Sequence, residues 1–187
     1  MLDREQFGMV KSWAARSLGQ IGSRREDARG ALERTLKDEL DSARYRAAEA
    51  LGDIGNPAAI PALAEAFRGE TVERVRGQIA RALGNLGARD MATEIAAVVQ
   101  GPWHDRGLYR NGLVAWAKLD PEGAWPSMER EIRSDVPYVR LDAVRMLGEI
   151  GDARAVEALR GMIEARTVVE PTCRRGDTHA ILLADVA

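Results

Sequence analysis

The architecture of this chain follows from one stretch, Ala43-Arg44-Tyr45-Arg46-Ala47-Ala48-Glu49-Ala50-Leu51-Gly52-Asp53-Ile54-Gly55-Asn56-Pro57-Ala58-Ala59-Ile60-Pro61-Ala62-Leu63, because shorter versions of it recur. We take the basic residue near the start of each copy as a register mark. The marks lie 33, 32, 34 and 30 residues apart, at Lys11, Arg44, Arg76, Arg110 and Arg140. A period of this size indicates a solenoid that repeats one supersecondary unit.

Each copy predicts one helix, which we name helix B. Apolar or small residues fall at positions −1, +3, +4 and +7 from the register mark, which makes a single stripe on a 3.6-residue helix. The B helices are expected near residues 10–19, 43–52, 75–84, 109–118 and 139–148. All but the fourth end in a glycine that we expect to terminate the helix, namely Gly19, Gly52, Gly84 and Gly148.

A second helix, helix A, is predicted after each turn. Asn56-Pro57 and Asp120-Pro121 place a capping side chain before a proline at the first helical position. Asp27, Asp90 and Asp152 are candidate caps for the other copies. Short connections make A and B antiparallel neighbours.

The repeated pattern resembles HEAT repeats of the phycobilisome-lyase-like class, over roughly Val10 to Ile163. The predicted fold is therefore all-α, a right-handed α-α superhelix with about five repeats. We expect residues 1–187 to form a single solenoid. A capping segment is expected at 171–187, where Asp177 begins a last helix that carries Ile181, Leu182 and Val186. The N-terminal helix is either a cap or the continuation of a longer solenoid.

Composition and charge limit the function. Charged residues make up 30% of the 187 residues, and the net charge is −2, which argues against non-specific nucleic-acid binding. The single cysteine, Cys173, excludes an internal disulfide and fits a reducing compartment, so we predict a cytoplasmic protein. The first residues are too charged for a secretory signal, and no apolar run approaches the ~18 residues of a membrane span.

One face of helix B is the predicted binding surface. Positions +2, +5 and +9 share a face by helical spacing, and the resemblance implies that this helix lines the concave surface. Exposed Trp and Arg side chains often anchor interfaces. The predicted partner-binding residues are Trp13, Arg16, Arg46, Glu49, Arg81 and Arg145. The alternative is a charged, solvated face without a partner.

The register cations have a structural interpretation. In HEAT families this arginine usually pairs with an acid of the preceding turn, and such acids lie five or six residues earlier in four copies, at Asp38, Glu70, Asp105 and Asp135. We therefore predict a ladder of ion pairs between repeats, rather than a set of ligand-binding residues.

Two further groups of residues are candidate sites. Trp103, Tyr109, Trp116 and Tyr138 surround the most divergent copy and either form an aromatic pocket or fill space. The loop containing Trp103, His104 and Asp105 is a secondary candidate surface. Catalytic and metal-binding patterns are sparse: His104-Asp105 and Cys173 with His179 are weak base and nucleophile candidates, and no His/Cys cluster offers a metal site. We predict neither a metal nor another cofactor.

The favoured function is a non-enzymatic scaffold that binds a protein or peptide, since solenoids offer extended concave surfaces. The resemblance implies one alternative, an accessory subunit of a bilin lyase or isomerase. A nucleic-acid-binding HEAT protein, like the alkylpurine glycosylases, is another. The arginines of helix B favour that alternative, whereas Glu49, Asp53, Asp142, Glu149 and the net charge oppose it.

Overall fold

The repeated stretches fold into alternating helices. The computed structural model describes residues 4–21, 26–102 and 105–164, and within them it has ten α-helices and no strand. The helices are α1 (Arg4–Ile21), α2 (Glu26–Thr35), α3 (Asp41–Ile54), α4 (Ile60–Gly69), α5 (Glu73–Asn85), α6 (Ala92–Gln100), α7 (Arg106–Leu119), α8 (Pro121–Ile132), α9 (Pro137–Ile150) and α10 (Ala153–Glu164). The predicted all-α fold is confirmed, and the odd-numbered helices are the B helices.

The chain forms two compact units, Met1–Arg130 and Glu131–Ala187, and each is described by itself. In the first unit the B helices lie side by side, with α1 against α3, α3 against α5 and α5 against α7. The A helices α2, α4 and α6 pack on this layer, against α3, α5 and α7 respectively. This two-layer arrangement is that of an α-solenoid. In the second unit α9 packs against α10. The predicted capping segment 171–187 lies outside the described residues.

The buried stripe of each B helix is the one that the spacing predicts. In α5 the four stripe residues Val75, Ile79, Ala80 and Leu83 are all at most 1% exposed. From the A layer, Leu63 and Phe67 of α4 are equally buried, so the core lies between the two layers. In the second unit, Ala143, Met146 and Leu147 of α9 and Ala155 of α10 are buried.

The glycines at position +8 do not end the B helices, contrary to the prediction. Gly52 and Gly84 lie inside α3 and α5, which continue to Ile54 and Asn85. The residues that adopt the left-handed conformation are the second glycines, Gly55 (φ 72°), Gly87 (φ 71°) and Gly151 (φ 68°). Among the residues that the structure describes, only these three need the freedom of glycine for a helix terminus.

Close packing between neighbouring B helices explains why position +8 is a glycine. A Cβ atom on Gly52 would stand 3.0 Å from the Cα atom of Ala82, and one on Gly84 would stand 2.7 Å from the Cα atom of Ala115. Gly19 meets the next B helix in the same way, at Ala50. The first glycine of the motif therefore allows neighbouring B helices to touch backbone to backbone.

The predicted start signals are correct at three of five places. Asn56 accepts a hydrogen bond from the Ala58 backbone N–H (3.0 Å), although a 3₁₀ turn at Pro57–Ala59 comes before α4. Asp120 and Asp152 accept from the N–H groups of Gly123 (3.1 Å) and Arg154 (2.7 Å). The other two assignments are wrong, because Asp90 lies inside the 3₁₀ turn Arg89–Met91 and Asp27 lies inside α2.

Candidate interaction surface

The first B helix presents an exposed aromatic side chain. Trp13 is 59% exposed, and the Arg16 guanidinium carbon lies 5.5 Å from the centroid of its ring. Val10, one helical turn earlier, is 52% exposed. Because residues three apart share a helix face, Val10, Trp13 and Arg16 form one apolar and cationic patch on α1.

On α3 the predicted residues are paired with each other. Arg46 binds Glu49 through Nη1 and Oε2 at 2.7 Å, and both side chains are about one-third exposed. The Arg46 guanidinium also lies 5.7 Å from the centroid of the Tyr45 ring. Arg74 of α5 lies 5.2 Å from the same ring. The Tyr45 ring of α3 therefore contacts one arginine of its own helix and one arginine of α5.

The α5 part of the surface has mixed charge. Arg81 is half-buried, and Asp53 of α3 lies close enough for their charges to interact. Burial and the negative charge of Glu49 raise the pKa of the Asp53 carboxyl above its ordinary value, and Arg81 opposes this increase. Asn85, at the end of α5, accepts a hydrogen bond from Nζ of Lys118 (2.8 Å).

We name the five predicted residues of the first unit, Trp13, Arg16, Arg46, Glu49 and Arg81, the B-face row. The row does not continue onto α7, where the same positions hold Gly112, Ala115 and Leu119, all buried. A Cβ atom on Gly112 would stand 2.7 Å from a methyl carbon of Val99 in α6. The expected exposure of this face is thus wrong for α7. It is also wrong for Gln78 of α5, which is 6% exposed.

The last predicted residue, Arg145, belongs to the second unit. It is exposed on α9, between half-buried Asp142 and Glu149 of the same face.

The register cations form the predicted ladder in the first two repeats, but with different partners. Lys11 Nζ lies 2.7 Å from Oδ2 of Asp38, and Arg44 binds Glu70 through two N–H groups, at 2.7 and 3.1 Å. Each acid belongs to the following repeat. The preceding turn instead offers carbonyl oxygens, since Arg44 donates to those of Asp38 and Glu39. Lys11 and Arg44 therefore hold repeats together.

The ladder changes at the third repeat. The Arg76 guanidinium carbon lies 4.9 Å from the centroid of the Phe67 ring, and its Nε is buried without a hydrogen-bond partner. Asp105, the acid that the sequence spacing assigned to Arg110, caps α7 by accepting from the Leu108 N–H (3.0 Å). In the second unit, Arg140 donates to the carbonyl of Ser134 at 2.5 Å.

A polar cleft of about 330 Å³ opens beside the Arg44–Glu70 pair. Its other charged lining residues, Lys37 and Glu65, bind each other at 2.9 Å. Every charged side chain that lines the cleft is therefore paired within the protein. We do not propose the cleft as a ligand site.

The secondary candidates are placed as follows. Tyr109 and Trp116 are each 5% exposed and belong to the core, whereas Tyr138 is 66% exposed on the second unit. The space-filling interpretation is thus correct for Tyr109 and Trp116. Asp105 has a structural role as the α7 cap, and Trp103, His104, Cys173 and His179 lie outside the described residues.

In the part of the chain that the structure describes, no group of three or more His, Cys, Asp or Glu side chains could hold a metal ion. None of the described helices is both long and apolar enough to span a membrane.

Sequence prediction missed two participants, Tyr45 and Arg74. They occupy positions +1 and −2 from the register marks Arg44 and Arg76. A face that is defined from the spacing within a single helix does not include these two positions. Aligning neighbouring B helices side by side would bring these positions together.

The comparison with known families agrees with this geometry. The family model for HEAT repeats matches residues 1–98, which is more than half of the chain. The chain belongs to the HEAT-repeat family. A second model, the PBS lyase HEAT-like repeat, matches residues 139–164. Together the two matches cover parts of both compact units.

One solved structure shows the same fold as this HEAT-repeat protein. The complex of CpcE and CpcF of phycocyanin lyase from Nostoc sp. PCC7120 superposes with a TM-score of 0.61 at 22% identity, over 84% of this chain and 68% of that chain. An engineered protein superposes with a TM-score of 0.45 at 19% identity, over 89% and 85% of the two chains. No significant match was found among curated proteins.

Proposed function

We propose that this HEAT-repeat protein is a non-enzymatic scaffold that binds a protein or peptide along the B-face row. The supporting observation is the exposed Trp13 with Arg16 stacked beside it, at one end of a row that continues over the adjacent helices α3 and α5. Tryptophan and arginine supply most of the binding energy in many interfaces. Because Trp13 is 59% exposed, a partner that covers it would remove a large apolar area from water, which favours binding.

The charges of the row favour a partner of mixed or acidic character that also carries an apolar group. Arg46 and Arg81 can pair with carboxylates in two-point geometry, and Trp13 supplies a flat apolar surface. Glu49 and Asp53 lie beside these arginines and would repel a phosphate backbone. This arrangement favours protein over nucleic acid. The lone Cys173 supports action in a reducing compartment such as the cytoplasm.

Site-specific photocrosslinking tests the proposal. A benzophenone amino acid replaces Trp13 in one variant and Ala97, an exposed residue of α6, in the control. Both proteins are irradiated in extract of the native host, and adducts are identified by mass spectrometry. We expect a discrete protein adduct from position 13 and none from position 97. The same adducts from both positions, or none from position 13, would contradict the proposal.

A second candidate function is that of an accessory subunit in bilin attachment. It is favoured by the match of residues 139–164 to the PBS lyase HEAT-like repeat. The test mixes this protein with an apo-phycobiliprotein and a free bilin, and follows covalent colour on the denatured acceptor. Colour that requires this protein supports the candidate, and colour that forms equally without it contradicts the candidate.

A further inference from the structure

Helix packing in the first unit places α7 one residue away from its register mark. In α3 and α5 the alanine that meets the glycine of the preceding B helix is at position +6, as Ala50 and Ala82. The corresponding residue of α7 is Ala115, which is at +5 when it is counted from Arg110. Counting from Tyr109 restores position +6. We call the numbering from Tyr109 the packed register of α7.

Two further contacts of α7 fit the packed register. Gly112 moves from +2 to +3, a position of the buried stripe, and a Cβ atom there would stand 2.7 Å from a methyl carbon of Val99 in the A helix α6. Lys118 moves to +9, and its Nζ donates to Oδ1 of Asn85, the +9 residue of α5, at 2.8 Å. Residues with the same position number therefore lie level on α5 and α7.

Position +2 then crosses the four B helices of the first unit at one level, through residues on neighbouring helices: Trp13 of α1, Arg46 of α3, Gln78 of α5 and Asn111 of α7. Trp13 is exposed, Arg46 and Asn111 are half-buried, and Gln78 is only 6% exposed. This level therefore begins at an exposed aromatic ring and ends in two side-chain amides on adjacent helices.

The Gln78 amide lacks a partner inside the protein. Among the residues that the structure describes, none forms a hydrogen bond with the side chain of Gln78 or with that of Asn111. Buried side-chain polar groups nearly always have such a partner, and an unpaired one destabilises the fold. Each amide offers two donor hydrogens and one acceptor oxygen. The two side chains can therefore supply hydrogen bonds to a molecule outside the fold.

We propose that Gln78 and Asn111 bind the main chain of an extended segment of the partner, which crosses the B helices at position +2. This inference rests on the proposed function and adds the conformation that the partner adopts. A side-chain amide donates to a main-chain carbonyl and accepts from a main-chain N–H, so it satisfies both groups of an extended chain. A helical partner already pairs these groups internally and would leave both amides unsatisfied.

The spacing of the helices sets the length of this segment. Packed helices lie about 8–10 Å apart, so the level from Trp13 to Asn111 spans about 24–30 Å. An extended chain rises about 3.3 Å per residue and covers this distance with about seven to nine residues. We expect an apolar side chain at the end that covers Trp13, and main-chain hydrogen bonds at the end that reaches Gln78 and Asn111.

Selection from a random library of linear twelve-residue peptides on the immobilised full-length protein tests the proposal. Peptides that lose binding to Trp13→Ala are kept, and their affinities are measured for Gln78→Met, which keeps the side-chain length and removes the amide. Gln100→Met is the matched control, because Gln100 is exposed at the end of α6. We expect Gln78→Met to weaken binding at least about tenfold, and Asn111→Leu to act in the same direction. Gln100→Met should leave the affinity unchanged.

Two further measurements separate a main-chain contact from a disturbed fold. The melting temperature of Gln78→Met should not fall, because an amide without an internal partner does not stabilise the free protein. Each N–H of a selected peptide is also methylated in turn. Methylation at the position that pairs with Gln78 should weaken binding to the unmodified protein and should add no further loss with Gln78→Met.

The outcomes distinguish this inference from the proposed function. Peptides that require Trp13 but bind Gln78→Met and Asn111→Leu with full affinity would overturn the inference and leave the proposed function intact. Helical circular dichroism of the bound peptide would do the same. A library that yields no peptide dependent on Trp13 would contradict both.

Discussion

Gly84 and Ala115 bring α5 and α7 into backbone contact: a Cβ atom on Gly84 would stand 2.7 Å from the Cα atom and 2.9 Å from the Cβ atom of Ala115. Real Cβ atoms do not approach this closely, so even one methyl group forces the two helices apart. The same relationship between Gly52 and Ala82 shows that it is a rule of stacking in this unit.

Gly84→Ala should therefore destabilise the protein, by about 1–3 kcal/mol, the usual cost of overpacking a tight core. The matched control is Gly30→Ala in α2, where the nearest neighbour of the new Cβ is the end of the Arg34 side chain at 3.7 Å. That change should stabilise by about 0.5–1 kcal/mol, because alanine is the better helix former. Urea titration measures both, and the same sign for both variants would refute the packing argument.

Ala48→Leu should also destabilise, by about 1–3 kcal/mol. Ala48 is 0% exposed, and the equivalent residues Ala15 and Ala80 are 3% and 1% exposed. The control is Ala97→Leu, on the exposed side of α6. We expect a lower denaturation midpoint for the first variant and a change within about 0.5 kcal/mol for the second. An unchanged midpoint for Ala48→Leu would mean that the site can expand freely.

The fold was largely predictable because the apolar stripe repeats. Period and spacing located every described helix, and the buried residues Val75, Ile79 and Leu83 are those of the predicted stripe. The role of Gly52 and Gly84 was not predictable from one helix, since a glycine near a helix end signals termination equally well. It is the neighbouring helix that decides between a terminus and a close contact.

The site was predictable only in part. Trp13 and Arg16 are exposed as expected, because polar spacing on a helix fixes its solvent face. The exposed face does not continue onto α7. The corresponding positions there hold Gly112, Ala115 and Leu119 in place of polar residues, and all three are buried. The ion-pair partners were assigned to the wrong turn, because sequence distance favours the acid six residues away. Stacking instead brings the acid of the next repeat to Arg44.

The Arg44–Glu70 pair should make stability depend on acid pH. Burial acts to raise the pKa of Glu70, but hydrogen bonds from Arg44 and from the backbone N–H groups of Val72 and Thr71 outweigh it, so the pKa lies below its ordinary value. A carboxyl whose pKa is lowered by folding stabilises the protein above its unfolded pKa of about 4.3, and this contribution disappears as the pH falls below that value.

Glu70→Gln should accordingly cost about 1–3 kcal/mol at pH 7, as expected for the loss of charge-assisted hydrogen bonds at a side chain only 5% exposed. The cost should shrink below pH 4. Glu65→Gln is the control, since the Glu65–Lys37 pair is 69% exposed on both sides and such pairs contribute little. Urea titrations at pH 7 and pH 3.5 give the comparison, and an equal loss at both would exclude the ion pair as its cause.

Trp13 should contribute more than Trp116 to the quenching of the tryptophan fluorescence by iodide. It is 59% exposed, whereas Trp116 is 5% exposed. Trp13→Phe should reduce the quenching constant of the protein, and should change the free energy of unfolding by less than about 1 kcal/mol, since an exposed cation–π contact with Arg16 contributes little more. Quenching that is unaffected by the substitution would show that Trp13 is already covered in solution.

The final prediction concerns the binding surface itself. Arg16, Arg46 and Arg81 of the B-face row lie on the adjacent helices α1, α3 and α5 of the first unit. Once a partner has been identified by crosslinking at position 13, changing these three arginines to alanine should weaken its binding at least about tenfold, because a single interface arginine can contribute ~2 kcal/mol. The melting temperature should stay the same, since the Arg46–Glu49 pair is a partly exposed i,i+3 pair of little energetic weight. The control removes the same charge from Arg34, Arg89 and Arg160, three exposed arginines outside the row. Calorimetric titration of the three proteins distinguishes the outcomes: a loss confined to the first variant supports the surface, and an equal loss in both would reduce the effect to net charge.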